Sequence, residues 1–242
     1  MKEEMTLKVI ARIQSSFSEK FGIPRQSGRV PEICSRIVFE PEYRNAEALR
    51  GLEGFSHLWI LWQFSEIEIN GWFPTVRPPR LGGNQRMGVF ATRSPYRPNP
   101  IGLSCVEIKD IEPASPQGPY IDVLGADLLD GTPIYDLKPY LPSVDGIAHA
   151  KGGFSDSVKD HHLTVSDPAD LFDSVSDQTA ALIRAVLSED PRPGYQSDPQ
   201  RIYSFECGGF HIEFRVEDRQ AILCRLRPIS CDVECVEEVN LP

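Results

Sequence analysis

Apolar and polar residues alternate with a period of two through the first half of the chain, which is the spacing of strands that are buried on one face. This pattern begins at residues 6–13 (TLKVIARI), and further strands are predicted at 57–64, 86–92, 103–111, 120–125 and 133–137. Short stretches rich in Pro and Gly separate them, and one helix is predicted at 45–52. This arrangement favours a compact antiparallel β-barrel.

The pattern changes after residue 142. Residues 143–176 are rich in Ser, Asp, His and Gly with weak periodicity, as expected of a linker. An apolar face then predicts a helix over 177–187 with Asp177 as its N-cap. Three short strands follow, at 201–207, 210–216 and 220–226. The fold class expected is mainly β, with a barrel domain at 1–142, a linker at 143–176 and a small α+β C-terminal domain at 177–242.

Composition is that of an ordinary soluble globular protein. Of the 242 residues, 40% are hydrophobic, and the mean hydropathy is -0.27. No apolar run approaches the length of a membrane helix, and the charged start MKEEMTLKVI does not resemble a signal peptide, so a cytoplasmic protein is expected. The six cysteines contain no CxxC pair, and the histidines lack the spacing of metal ligands, so we expect no metal.

The charge distribution qualifies the acidic total of -10. Residues 69–106 contain no Asp, Glu or Lys, but they contain five arginines: Arg77, Arg80, Arg86, Arg93 and Arg97. Arginine presents a planar fork of donors that suits phosphate, carboxylate and stacked bases. The segment is therefore a candidate nucleic-acid surface, although a loop whose arginines pair with acids elsewhere would look the same.

Residues 93–102 (RSPYRPNPIG) form the most specific string in the chain. Two prolines bracket Asn99 and restrict the backbone, so its amide and two guanidinium groups are presented at low entropic cost. The sequence lacks GxGxxG in a βαβ context, a P-loop, GxSxG and HExxH. A Rossmann-type cofactor site is therefore not indicated.

Five strings together resemble the TsaA/TrmO family of tRNA N6-methyltransferases: IPRQSGR (23–29), GLEGFSHLWILWQF (51–64), TVRPPRLGGNQRMGVFATRSPYRPNPIG (75–102), DLLDGTPIYDLKPYLP (127–142) and DPRPGY (190–195). The resemblance implies a β-barrel methyltransferase that binds S-adenosylmethionine near a homodimer interface. It further implies that the substrate is threonylcarbamoyladenosine at position 37, beside the anticodon of threonine tRNA, and that the methyl group goes to N6.

The resemblance also implies a set of cofactor-binding residues: Pro24, Arg25, Gln26, Ser65, Glu66, Arg93, Leu103, Asp127, Leu128, Leu129 and Asp130. Carboxylates such as Asp127 or Asp130 can accept hydrogen bonds from ribose hydroxyls or an amino group, and an arginine can hold a carboxylate. Ser65 and Glu66 are carried over by alignment position alone. The DLLDGT string could equally be a tight turn between strands.

Methyl transfer needs carbon, sulfur and nitrogen held in line. The implied acceptor nitrogen is conjugated to a carbonyl, so a group must remove or share its proton. His57, Tyr96 and Asn99 are the catalytic candidates, with His57 equally interpretable as a hydrogen-bonded strand residue.

For tRNA, we expect Arg77, Arg80 and Arg86 to contact phosphates of the anticodon arm. Arg97, Arg192 and Tyr195 complete that candidate surface. The alternatives are a non-catalytic barrel that binds tRNA or an adenine nucleotide, and a methyltransferase for another small acceptor.

Overall fold

A computed structural model describes residues 4–65, 71–81, 85–157, 161–192 and 198–229, with the side chain of Arg80 left out. The strands of the described residues are β1 (Ala11–Gln14), β2 (Cys34–Phe39), β3 (His57–Gln63), β4 (Thr75–Val76), β5 (Met87–Gly88), β6 (Ile101–Glu112), β7 (Tyr120–Leu124), β8 (Pro133–Pro139), β9 (Thr164–Ser166), β10 (Tyr203–Cys207), β11 (Phe210–Glu217) and β12 (Gln220–Pro228). The α-helices are α1 (Pro142–Asp145) and α2 (Asp177–Ser188).

Six strands close into a barrel in the order β1-β2-β7-β6-β3-β8, and every neighbouring pair is antiparallel. Alternate residues of β1, β2, β3, β7 and the first half of β6 enter the core, as Leu58, Ile60 and Trp62 of β3 illustrate. The mainly β fold class and the antiparallel barrel are therefore confirmed. The period-two pattern predicted them because each barrel strand buries one face only.

Strand β2 was not predicted from the sequence. Its inward positions are Ser35, Ile37 and Phe39, so a polar residue stands where the pattern requires an apolar one. Two other predictions were wrong in type. Residues 45–52 form two 3₁₀ turns, Ala46–Leu49 and Leu52–Gly54, rather than an α-helix. Residues 86–92 contain only the two-residue β5 and a 3₁₀ turn, Val89–Ala91, in which Val89 alone is buried.

The C-terminal sheet has the order β10-β11-β12-β9, and β9 runs parallel to β12. Helix α2 packs Ile183, Val186 and Leu187 into the same core. Ser176 is its N-cap, with Oγ accepting from Thr179 N at 3.2 Å, so the prediction of Asp177 was wrong by one residue. The segment 143–176, expected to be a linker, supplies β9 to this sheet.

The loop between β1 and β2 joins the two halves of the molecule. Its residues Phe17, Val30 and Ile33 are buried in the core of the C-terminal sheet and α2. Arg29 Nε also donates to Glu189 Oε2 at 2.9 Å. The position of residues 24–26, part of the predicted cofactor site, therefore depends on both halves.

Within the described ranges, no helix is long and apolar enough to cross a membrane. The same ranges contain no group of three or more His, Cys, Asp or Glu side chains that could hold a metal ion.

Candidate active site

The 93–102 segment leads into β6, whose first residue, Ile101, pairs with Gln63 at the end of β3. From this edge of the barrel, Arg93 reaches across to the β1–β2 loop, where its Nη1 donates to Gln26 Oε1 at 2.6 Å. Two predicted cofactor residues from distant parts of the chain therefore meet in one hydrogen bond.

A buried hydrogen-bond chain lies beside this contact. Trp62 Nε1 donates to Ser104 Oγ at 2.9 Å, and Ser104 Oγ donates to Asp127 Oδ1 at 2.5 Å. Ser104 is fully buried. Burial raises the pKa of Asp127 above its ordinary value, while the Ser104 hydrogen bond and the charge of Arg93 act in the opposite direction. The arrangement holds the Asp127 carboxylate in a largely desolvated position close to the Arg93 guanidinium.

The β1–β2 loop is held beside this carboxylate by hydrogen bonds to β6 and to the segment 125–127. Ser27 Oγ accepts from Cys105 N at 3.0 Å, and the Ser27 backbone also hydrogen-bonds to Asp127. Gly28 N donates to Gly125 O at 2.8 Å. Both glycines have a φ of +74°, which favours glycine at both positions, and a Cβ on Gly125 would also stand 3.2 Å from the Gly28 backbone. The structure thus brings Gln26, Arg93 and Asp127 together.

Comparison with known proteins identifies this architecture. A sequence model described as "tRNA-methyltransferase O N-terminal domain" matches residues 12–146, and one described as "TrmO C-terminal domain" matches residues 166–229. The chain belongs to the tRNA-methyltransferase O family. The resemblance inferred from the five sequence strings is therefore confirmed.

Individual members of the tRNA-methyltransferase O family agree with this assignment. The chain is 42% identical over 228 residues to the Escherichia coli K12 protein named tRNA (adenine(37)-N6)-methyltransferase, covering 90% of this chain and 96% of that protein. It is 39% identical to a Pseudomonas aeruginosa protein named putative S-adenosylmethionine-dependent methyltransferase RcsF, covering 80% and 85%. A solved structure titled "Crystal structure of TrmO" superimposes with a TM-score of 0.77 at 29% identity, covering 93% of this chain and 100% of that chain.

The other predicted cofactor residues have varied surroundings in this family member. Pro24 is buried, and Arg25 Nη2 donates to Arg192 O at 2.6 Å. Leu103 is on β6 beside Ser104 and is 44% exposed. Ser65 is an exposed turn residue after β3. Glu66 lies outside the described residues.

The 127–130 segment divides between two environments. The Leu128 side chain is buried in the barrel core. Leu129 O accepts from Thr132 N at 3.2 Å, closing a tight turn. Asp130 Oδ1 accepts from Ser15 N at 2.8 Å, which fixes the end of β1. The turn interpretation of DLLDGT therefore holds for its second half, while Asp127 faces the Arg93 contact.

The catalytic candidates fall into two places. Tyr96 and Asn99 are exposed on the 93–100 loop, and Tyr96 makes an edge contact with Phe73 at 5.6 Å between ring centroids. His57 begins β3, six residues from the Gln63 end, which is about 20 Å along a strand. His57 Nδ1 lies 2.9 Å from Ser56 Oγ, and its ring faces Tyr140. Within one chain, His57 therefore lies at the opposite end of β3 from the loop that carries Tyr96 and Asn99.

The candidate tRNA-binding arginines differ in solvent exposure and in their hydrogen-bond partners. Arg77 and Arg86 are exposed, and Arg86 Nε donates to Thr75 Oγ1 at 2.9 Å. Arg97 is half-buried, with Nη1 3.5 Å from Thr92 O. Arg192 is held by both carboxylate oxygens of Asp190, at 2.8 and 3.0 Å. The Arg80 side chain and Tyr195 lie outside the described part of the chain.

Sequence reasoning did not select Trp62, Ser27 or Ser104. A signal for Ser104 existed, because it occupies an inward position of the alternating β6 pattern, where an apolar residue is expected. A buried polar residue that breaks such a pattern usually has a hydrogen-bond partner. The identity of that partner, Asp127, depends on the barrel topology.

Proposed function

We propose that the chain is an S-adenosylmethionine-dependent tRNA methyltransferase that transfers a methyl group to N6 of threonylcarbamoyladenosine at position 37 of threonine tRNA. The observation that carries this proposal is the meeting of Gln26, Arg93 and Asp127 on three separate segments at one edge of the barrel. Membership of the tRNA-methyltransferase O family and the name of the E. coli relative support the reaction class.

The side chains at this edge suit S-adenosylmethionine. The cofactor has a sulfonium and an ammonium group, both cationic, together with a carboxylate and two ribose hydroxyls. The buried carboxylate of Asp127 can accept from hydroxyl or ammonium donors, and Arg93 can donate to a carboxylate. When bound, the cofactor supplies an electrophilic methyl group. Gln26 and Ser27 hold the loop that borders this place.

The exposed loop 93–100 is proposed to hold the acceptor base. Arg97 N donates to Pro95 O at 2.8 Å and Ile101 N donates to Asn99 O at 2.8 Å, so the loop is ordered by its own backbone bonds. Tyr96 and Asn99 can therefore orient the acceptor nitrogen with little loss of entropy. A guanidinium of this segment can form a bidentate pair with the threonyl carboxylate and so distinguish the modified base from plain adenosine.

We further propose that the enzyme works as a homodimer, in the cytoplasm, and without a metal. The outward face of β3 supports dimer formation, since it carries the half-buried Trp59 and Leu61 next to the exposed Leu103 of β6. Apolar side chains at such positions are common in interfaces between identical subunits.

The proposed function is tested by incubating the purified chain with isotopically labelled S-adenosylmethionine and with tRNA that either carries or lacks the threonylcarbamoyl group. Mass spectrometry of the digested nucleosides should find one added methyl group on threonylcarbamoyladenosine only. Cofactor and tRNA binding without transfer would instead indicate a non-catalytic binding barrel.

A further inference from the structure

Exposed aromatic side chains cluster beside the candidate active site. Among the described residues, five large aromatic side chains are exposed, and four of them lie between residues 72 and 96. We name these the aromatic patch: Trp72, Phe73, Phe90 and Tyr96. Phe90 is 74% exposed and Trp72 is 50% exposed. Single exposed apolar residues are ordinary, but a cluster of them marks an interaction surface.

The patch is presented by anchored backbone. Phe73 N donates to Tyr96 O at 3.1 Å, and β4 pairs with β5. The rings form two contacts: Trp72 and Phe90 lie nearly parallel, at 22° with centroids 6.4 Å apart, and Phe73 meets Tyr96 edge-on. Little ordering is therefore required when a ligand arrives.

The charged residues within the segment that carries the patch are all arginines. Residues 69–106 contain no Asp or Glu. Arg86 and Arg93 are exposed on either side of Phe90 in the sequence. Flat aromatic faces combined with guanidinium groups are the surface that binds unpaired nucleobases, since bases stack on the rings while phosphates meet the cations.

We propose that Trp72 and Phe90 form a stacking surface for the unpaired RNA bases that flank the acceptor adenosine. This inference rests on the proposed tRNA substrate. Phe90 precedes Arg93 by three residues and Tyr96 follows it by three, so the patch borders the Arg93–Gln26 contact. An adenosine drawn into that place leaves its neighbours unstacked, and new ring partners offset this loss.

The test measures binding of a hairpin with the sequence of the threonine tRNA anticodon arm at two salt concentrations. Trp72→Ala and Phe90→Ala should each weaken binding by about 10-fold with no change in the salt dependence. Arg86→Ala should weaken binding and also flatten the salt dependence. Phe55→Ala is the matched control, because Phe55 is an exposed ring outside the patch and its loss should change nothing.

A second measurement uses fluorescence of the unmodified protein. Trp62 is buried and Trp59 donates to Asp145, so quenching by the hairpin should come mainly from Trp72 and should be lost in Trp72→Phe. Unchanged hairpin affinity in both alanine variants, while wild-type enzyme still methylates tRNA, overturns the stacking surface alone. If light scattering gives the alanine variants half the molecular mass of the wild type, the stacking surface is overturned and the patch is a contact between two copies of the chain. Absence of hairpin binding and methylation by the wild-type chain overturns the proposed function itself.

Discussion

Ser104 Oγ donates to Asp127 Oδ1 at 2.5 Å while the same oxygen accepts the indole N–H of Trp62. An indole nitrogen can only donate, and a hydroxyl has one proton. The Trp62 hydrogen bond therefore occupies one lone pair of Ser104 Oγ and leaves its single proton for Oδ1 of the ionised Asp127 carboxylate. The orientation of the carboxylate is thus set before a ligand arrives.

Replacing Asp127 by Asn should retain the free energy of unfolding while lowering the affinity for S-adenosylmethionine. Because burial raises the pKa of Asp127, the folded state binds the proton more tightly than the unfolded state. The wild-type free energy of unfolding should therefore fall as pH rises from the ordinary carboxyl pKa through the raised one. Asp127→Asn keeps the Ser104 donor and removes this dependence, so it should be at least as stable at pH 8 while losing S-adenosylmethionine affinity. Urea unfolding at pH 5 and 8, with calorimetric titration of the cofactor, checks both. Unchanged cofactor affinity would exclude Asp127 from the site.

Ser104→Ala should leave the buried indole N–H of Trp62 without a partner, at a cost of about 1–3 kcal/mol in the free energy of unfolding. The double variant with Trp62→Phe contains no such orphan, so it should cost less than the sum of the single changes. Ser35→Ala is the matched control, because Ser35 is a buried barrel serine whose hydroxyl has no partner among the described residues. Its loss should be nearly neutral. If the changes in free energy of unfolding caused by Ser104→Ala and Trp62→Phe simply add, the hydrogen bond between Trp62 and Ser104 is contradicted.

The arginine-rich segment should separate into two groups of variants. Arg77→Ala and Arg86→Ala should weaken tRNA binding and reduce its log-log salt slope by about one unit or less each, with cofactor affinity intact. Arg93→Ala should instead weaken S-adenosylmethionine binding by about 1.5–3 kcal/mol, because it removes a charge-assisted bond. Gln26→Ala tests the same contact from its other end. Titrations of all four variants with cofactor and tRNA provide the check, and a uniform loss across them would mean that the segment is structural only.

Methyl transfer should survive exhaustive chelation. The described residues contain no group of three or more His, Cys, Asp or Glu side chains that could hold a metal ion. Activity measured before and after dialysis against a chelator should be the same. Activity that disappears and returns only with zinc or magnesium would show that the metal-free proposal is wrong.

Light scattering should give twice the 27.1 kDa mass of the chain at micromolar concentration. Leu61→Asp places a charge on the outward face of β3 and should shift the species toward the monomer with loss of activity. A fully active wild-type species of 27.1 kDa would rule out the dimer.

The barrel was predictable because its strands bury one face each. The spacing of Leu58, Ile60 and Trp62 at every second position indicates such a strand. Strand β2 was not, since Ser35 interrupts that spacing. Likewise, β9 is three residues long and gains its place by pairing with β12, which no local pattern encodes.

The candidate site divides in the same way. Gln26, Arg93 and Asp127 followed from the family resemblance, and the structure brings them together. Ser104 and Ser27 contribute through contacts between distant segments, so their partners required the fold. His57 was grouped with Tyr96 by residue chemistry alone, and strand length separates them.

The burial of Phe17, Val30 and Ile33 under the C-terminal sheet has a consequence for the timing of folding. During translation, the β1–β2 loop leaves the ribosome long before β10, β11 and β12 have been made. Its apolar side chains therefore stay uncovered while the barrel strands are already available to pair. Gln26 and Ser27 lie on this loop, so the proposed cofactor-binding edge is completed only when β10, β11 and β12 close over Phe17. A nascent enzyme is accordingly expected to remain inactive until β10, β11 and β12 have been synthesised and folded.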